Sequence, residues 1–305
     1  MKKFLKDISP FNNRTEMPAI LFVIKIILAF GVCKIIGELI AEGIVILIHF
    51  VLGKNIFEGE MFDQETITLI TYYGYIVVVG ITILYWKLIA RKPLSEMGIT
   101  KRFGNYFIGA AVGILLVLIS VTVIMLTGKI EFHGIFKNAH YITIVLLFGG
   151  FIIQGATEEF LCRGIVLCSL KNRTSLAVAI GASTVMFIIP HLSTLLDMGA
   201  VYGVLGIINL ILISIIFSLL TIQFNSIWVV CGLHTFWNFI LFSVLGLNLS
   251  GNDETVTAIF NMQSVGENIC NGGKYGIEAS VITSIVLAVA TALIWYINKK
   301  KVSIK

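Results

Sequence analysis

The sequence predicts an all-α membrane protein, a bundle of about eight transmembrane helices with both termini cytoplasmic. Three observations carry that prediction. Hydrophobic residues make up 57% of the 305 and charged residues only 13%, against roughly 25% charged in a soluble domain. The apolar residues fall in continuous runs near the ~20 residues that cross a bilayer as a helix, with none of the alternation a membrane barrel needs. With the N-terminus placed inside, fifteen Lys and Arg fall on the cytoplasmic side and four outside, the asymmetry that orients spans.

The first run, about Met17 to Leu52, carries Lys25, Lys34, Glu38, Glu42 and His49. Lys34, Glu38 and Glu42 recur every four residues, so they share one face and Lys34 can pair with Glu38. This stripe reads either as a packing face of a tilted helix or as the polar wall of an access path. Spans follow at about Thr66 to Ala90, Tyr106 to Thr127 and Tyr141 to Leu170, with the basic loop RKPLSEMGITKRFGN after the second. The fifth runs from about Thr174 to Pro190, the sixth from Val201 to Ile222 and the seventh from Ser226 to Gly246. A polar loop, about Asn248 to Gly276, leads to the eighth, about Ile277 to Ile297, which ends at Lys299 to Lys301.

The whole chain, 1–305, reads as one polytopic membrane domain with 141–246 as its core. The N-terminal segment, MKKFLKDISPFNNRTEM, reads as part of a retained anchor. Four of the five cysteines lie in or beside apolar runs, so no disulfide framework is implied. The formal charge of +5 sits in short clusters at span ends, which argues for bilayer orientation and against a nucleic-acid partner.

The fourth span holds GATEEFLCRG, Gly155 to Gly164, with three charges inside an apolar run. Each costs about 2.5 to 3.5 kcal/mol near the bilayer centre on insertion scales, and such residues face a bundle interior or a water-filled cavity. Glu159 precedes Arg163 by four residues, the favourable order for a helical ion pair. Glu158 points about 100° away, on the face of Gln154 and Cys162.

His191 ends FIIPH, and His234 and Asn238 share a face in HTFWN. At about 1.5 Å per residue, Glu158 lies about 20 Å and His191 about 25 Å from the inner end. His234 lies about 12 Å above Ser226, and the charge-free QFNS connector would raise it if it sits within the bundle. Each His alone is more often a packing residue, and Asn238 alone could be helix glue. Together on three spans they form a more specific set.

A carboxylate and a His to activate water, with a second His and an Asn to hold a developing oxyanion, suffice for amide hydrolysis. No HExxH zinc motif occurs, and Gly181, Ala182 and Ser183 run on to Thr184 rather than forming a GxSG serine elbow. EEFLCR at Glu158 to Arg163, FIIPH at Phe187 to His191 and HTFWN at His234 to Asn238 resemble the EExxxR, FxxxH and HxxxN/B signatures of the CAAX protease and bacteriocin-processing family of intramembrane proteases. The resemblance covers about Ile89 to Gly246.

That resemblance implies an eight-helix bundle with the site in a conical cavity. It implies Glu158 as the water-activating base aided by His191, His234 and Asn238 as oxyanion stabilisers, and Glu159 and Arg163 as supports. No obligatory cofactor is expected; Glu158, His191 and His234 are the set that zinc would take. The expected partners are the bilayer and a membrane-embedded or lipid-associated peptide or protein substrate, in a bacterial cytoplasmic membrane. The competing readings are a non-catalytic immunity protein that binds a partner, an ion-coupled transporter using the buried charges, and a bis-histidine haem protein.

Overall fold

The computed structural model describes residues 2–137, 139–251 and 257–303. Lys305, counted among the inner charges, and 252–256 of the expected polar loop lie outside the described residues. Helix α1 spans Lys2–Ile8, α2 Ala19–Val51, α3 Gln64–Ile89, α4 Gly104–Leu126, α5 Tyr141–Leu170, α6 Leu176–Asp197 and α7 Ala200–Phe224. Helix α8 is Trp228–Val244 and α9 is Val281–Ser303. A small antiparallel ladder pairs β1, Ile130–Ile135, with β2, Phe260–Ser264, and is interrupted by a register shift between Phe132 and Ile135.

Among the described residues seven helices are long and apolar enough to cross a membrane, which makes this a multi-pass membrane protein. The sequence predicts about eight, and the difference lies at α8, an apolar helix below that length. Its ends are taken by turns. Ser226 Oγ accepts the Trp228 backbone N–H before the helix starts, and Gly246 at φ +75° turns the chain after it. A positive φ of that size suits glycine, which has no Cβ to clash.

Local chemistry explains several other boundaries. Asp63 caps α3, its carboxylate accepting the Thr66 backbone N–H at 2.9 Å and the Thr66 hydroxyl at 2.8 Å; these bonds hold its carboxyl below the ordinary Asp range. Helix α6 does not stop at Pro190 as the sequence predicts. It tightens into a 3-10 turn at Ile189–His191 and resumes through Leu192–Asp197. A proline removes one backbone N–H, and a tighter turn accommodates that loss without ending the rod.

The chain divides into two units, residues 1–100 with 149–182 and residues 101–148 with 183–305. In unit 1, α2 and α3 approach closely at Gly37, where a Cβ would stand 2.9 Å from Val78 Cα. The N-terminal segment is fastened to this unit: Lys25 Nζ donates to Asn12 Oδ1 at 2.8 Å and to the Arg14 carbonyl at 2.7 Å. The Arg173 guanidinium donates to the Thr15 carbonyl and lies over the Phe22 ring.

In unit 2, α4 and α8 touch backbone to backbone. A Cβ at Gly109 would fall 1.7 Å from the Val229 carbonyl oxygen, and one at Gly232 1.9 Å from that of Tyr106. Helix α7 is tied to the loop before α9 by Asn209, whose amide donates to the Glu278 and Ser280 carbonyls at 2.9 and 3.0 Å. Small residues permit this approach, and without a hydrophobic force between helices in lipid, packing and interhelical hydrogen bonds supply the association.

Candidate active site

The six residues singled out from the sequence fall three to each unit. Unit 1 carries Glu158, Glu159 and Arg163 on α5; unit 2 carries His191 on α6 and His234 and Asn238 on α8. The zinc set therefore draws one carboxylate from unit 1 and two imidazoles from unit 2. Within each unit taken by itself, no group of three His, Cys, Asp or Glu among the described residues is placed to hold a metal ion.

On α5 regular helix runs to Glu159 and then widens into a π-helical stretch, Phe160–Leu167. Such wide turns shift the facing of the residues that follow and occur often at functional sites. Arg163 nevertheless reaches back, its Nη1 donating to Glu159 Oε1 at 3.1 Å, with both side chains 0% exposed. The expected ion pair is present, with both charges removed from solvent.

Glu158 is half-buried, and Gln154 Nε2 donates to its Oε1 at 2.5 Å, one turn earlier on the same face. The turn is held on one side by Thr157, whose hydroxyl donates to the Ile153 carbonyl at 2.8 Å and the Tyr75 carbonyl at 3.3 Å. Below it, a Cβ at Gly164 would stand 2.6 Å from Met97 Cε. Met97 belongs to the RKPLSEMGI loop and is fully buried, so this loop packs directly against the widened stretch.

In unit 2 the two histidines gather round one aromatic ring. Phe187 lies 5.3 Å from the His191 ring and 6.1 Å from that of His234, centroid to centroid. His191 Nδ1 is 2.9 Å from the Phe187 carbonyl oxygen. A carbonyl only accepts, so Nδ1 carries the proton and Nε2 is the basic nitrogen of the neutral ring. Phe217 stacks on His234 at 5.4 Å and 23°.

His234 and Asn238 are 6% and 7% exposed, one turn apart on α8. Between them in sequence, Trp237 donates its indole N–H to Glu278 Oε1 at 3.1 Å. The other oxygen of Glu278 accepts from the Ser250 backbone N–H at 2.6 Å and hydroxyl at 2.8 Å. Phe217 and Glu278 were not legible as site neighbours. The one signal for Glu278 is a lone carboxylate at the start of the last apolar run.

The fold thus defines a multi-pass membrane protein whose apolar helices carry a glutamate pair with an arginine on α5 and two histidines with an asparagine on α6 and α8. A family model described as "Type II CAAX prenyl endopeptidase Rce1-like" matches residues 140–240, a stretch that contains all six of these residues. It agrees with the family resemblance carried by the three motifs. No curated protein and no solved structure matches the chain.

Proposed function

We propose that this protein is an intramembrane endopeptidase that cleaves a membrane-associated peptide or protein, with Glu158 as the general base. The observation that carries the reading is the endopeptidase family match over residues 140–240, which takes in every residue of the proposed set. Both termini face the cytoplasm of a bacterial cell in this reading, which the distribution of Lys and Arg supports.

Glu158 takes a proton from a water molecule as the oxygen attacks the scissile carbonyl, and His191 assists through Nε2. The bond from Gln154 supports this role by fixing one carboxylate oxygen and leaving the other to the water. His234 and Asn238 donate to the oxyanion that forms. Their burial supports it, because hydrogen bonds to a developing charge are worth most where water is excluded. The proton held by Glu158 then passes to the leaving amine, and the peptide bond breaks.

No obligatory metal is part of this reading. Zinc, were it bound, would be held by Glu158, His191 and His234 and would supply a more acidic water. The single bonded nitrogen of His191 is compatible with such a ligand, since it leaves Nε2 with its lone pair.

The test is membrane proteomics of cells carrying wild type or Glu158→Gln at equal abundance. One processed peptide should vanish in the variant, and cleavage of a reporter containing that site should fall by about 10²- to 10⁴-fold, the usual worth of a general base. Wild-type processing by Glu158→Gln would overturn the mechanism and favour a non-catalytic partner-binding protein. Unchanged cleavage after exhaustive chelation supports metal independence.

A further inference from the structure

Unit 1 has an open cleft of about 560 Å³ between α2, α3 and the segment joining them, within the size range of small-ligand sites. Its polar wall residues are Glu38, Glu42, His49, Thr71 and Tyr75, and the others are apolar. Two of the three stripe residues on the first span, Glu38 and Glu42, therefore line a real space, while Lys34 does not.

The polar groups share one chemical preference. Glu38 and Glu42 offer carboxylate acceptors. His49 is 2% exposed, and its Nδ1 lies 2.9 Å from the Val45 carbonyl oxygen. That nitrogen must donate, which leaves Nε2 of the neutral ring as an acceptor, and it has no hydrogen-bond partner. Thr71 and Tyr75 hydroxyls can accept as well. The wall is thus rich in acceptors and poor in obligatory donors, and it calls for a ligand that donates.

Charge points the same way. Lys34 pairs with Glu38, while Glu42 makes no ion pair among the described residues. Glu42 stands nine residues before the end of α2 at Val51, about 13 Å into the span. A carboxylate at such depth is retained where it faces a polar cavity or a cation. Tyr75, on the cavity wall, accepts the Thr157 hydroxyl through its backbone carbonyl at 3.3 Å, which sets that wall beside the turn carrying Glu158 within the same unit.

We propose that this cavity is a substrate subsite for a protonated primary amine, held by Glu42 with Glu38 and His49, its alkyl stem lying along the apolar wall. The substrate is then a peptide presenting a lysine side chain or a free N-terminus beside the bond to be cut. This assignment rests on the endopeptidase reading, but binding of the amine does not.

The first measurement is equilibrium binding of n-octylammonium and n-octanol to the detergent-purified full-length protein. The cation should bind at least about tenfold tighter than the alcohol, in wild type and in Glu158→Gln. Glu42→Gln, an isosteric change of an exposed side chain, should erase that preference, and Glu131→Gln on β1 should leave it. Equal binding of the two probes, or a preference unaffected by Glu42→Gln and by Glu38→Gln with Glu42→Gln, would overturn the subsite.

The second measurement is cleavage of peptides that carry lysine or norleucine near the scissile bond, each with a free or acetylated N-terminus. A lysine preference in kcat/KM that Glu42→Gln abolishes assigns the amine to a side chain; a preference for the free terminus assigns it to the N-terminus. Cleavage indifferent to both overturns the substrate assignment and leaves the endopeptidase reading standing. Preferential octylammonium binding with no cleavage of any peptide does the reverse.

Discussion

Trp237 donates its indole N–H to Glu278 across 3.1 Å, which ties the helix bearing His234 and Asn238 to the segment just ahead of α9. The bond sits one residue from Asn238. Its acceptor is fully engaged, because the second oxygen of Glu278 is taken by Ser250. This carboxylate therefore acts as a clamp on the rotation of α8, outside the proposed chemistry.

Replacing Glu278 by leucine should leave the Trp237 N–H, on a side chain 5% exposed, without its acceptor. An orphaned buried donor costs about 1 to 3 kcal/mol. The thermal midpoint in detergent should fall by several degrees, and kcat should fall more than KM changes as the oxyanion donors lose register. Trp237→Phe removes donor and bond together and should cost less than Glu278→Leu. A midpoint unchanged in both variants would show that the clamp carries no load.

The Glu159 and Arg163 pair makes a sharper thermodynamic prediction because both partners are 0% exposed. Removing one partner of such a pair leaves a buried charge unmatched, at about 3 to 5 kcal/mol, whereas apolar replacement of both is often nearly neutral. Arg163→Met should therefore reduce the protein recovered from membranes severely, and Glu159→Met with Arg163→Met should restore much of it. Exchanging the two charges should retain partial activity. Equal loss in the single and double variants would mean that the pair has a role beyond mutual neutralisation.

The contact of α4 with α8 admits no side chain at Gly109 or Gly232, where an added Cβ would lie within 2 Å of a carbonyl oxygen. Gly232→Ala must push two backbones apart beside His234. It should lower stability by more than the roughly 1 to 3 kcal/mol typical of overpacking, because backbone, unlike a side chain, cannot rotate away. Gly31→Ala and Gly43→Ala on α2 meet nothing within 4 Å and provide the matched controls. Thermal unfolding of the three variants checks the order.

Local pattern made much of this legible. Apolar length marks the spans, and four-residue spacing places Glu159 against Arg163 and Gln154 beside Glu158. What escaped depends on partners distant in sequence or on backbone detail. The pairing of Ile130 with Ser264 joins residues 134 positions apart in the chain. The continuation of α6 beyond Pro190 rests on a tightened turn that proline permits but does not announce. The stacking of Phe217 on His234 needs the packing of α7 on α8, and residue order alone contains no trace of it.

The bond from Gln154 to Glu158 bears most directly on the proposed reaction. It sits in the last regular turn of α5, just before the helix widens at Phe160. A carboxylate on a helix has two free torsions beyond χ1, and a single donor one turn back restricts them. Gln154→Leu keeps the volume and the helix but removes that donor. Misplacement of a catalytic group by about 1 Å can cost up to about a hundredfold, so kcat should fall by about ten- to a hundredfold with KM little changed. Protein abundance and thermal midpoint should stay near wild type, because Gln154 is half-buried and the substitution suits a membrane helix. Wild-type kcat in Gln154→Leu would mean that Glu158 is oriented by something else, and a parallel loss of stability would mark Gln154 as a packing residue.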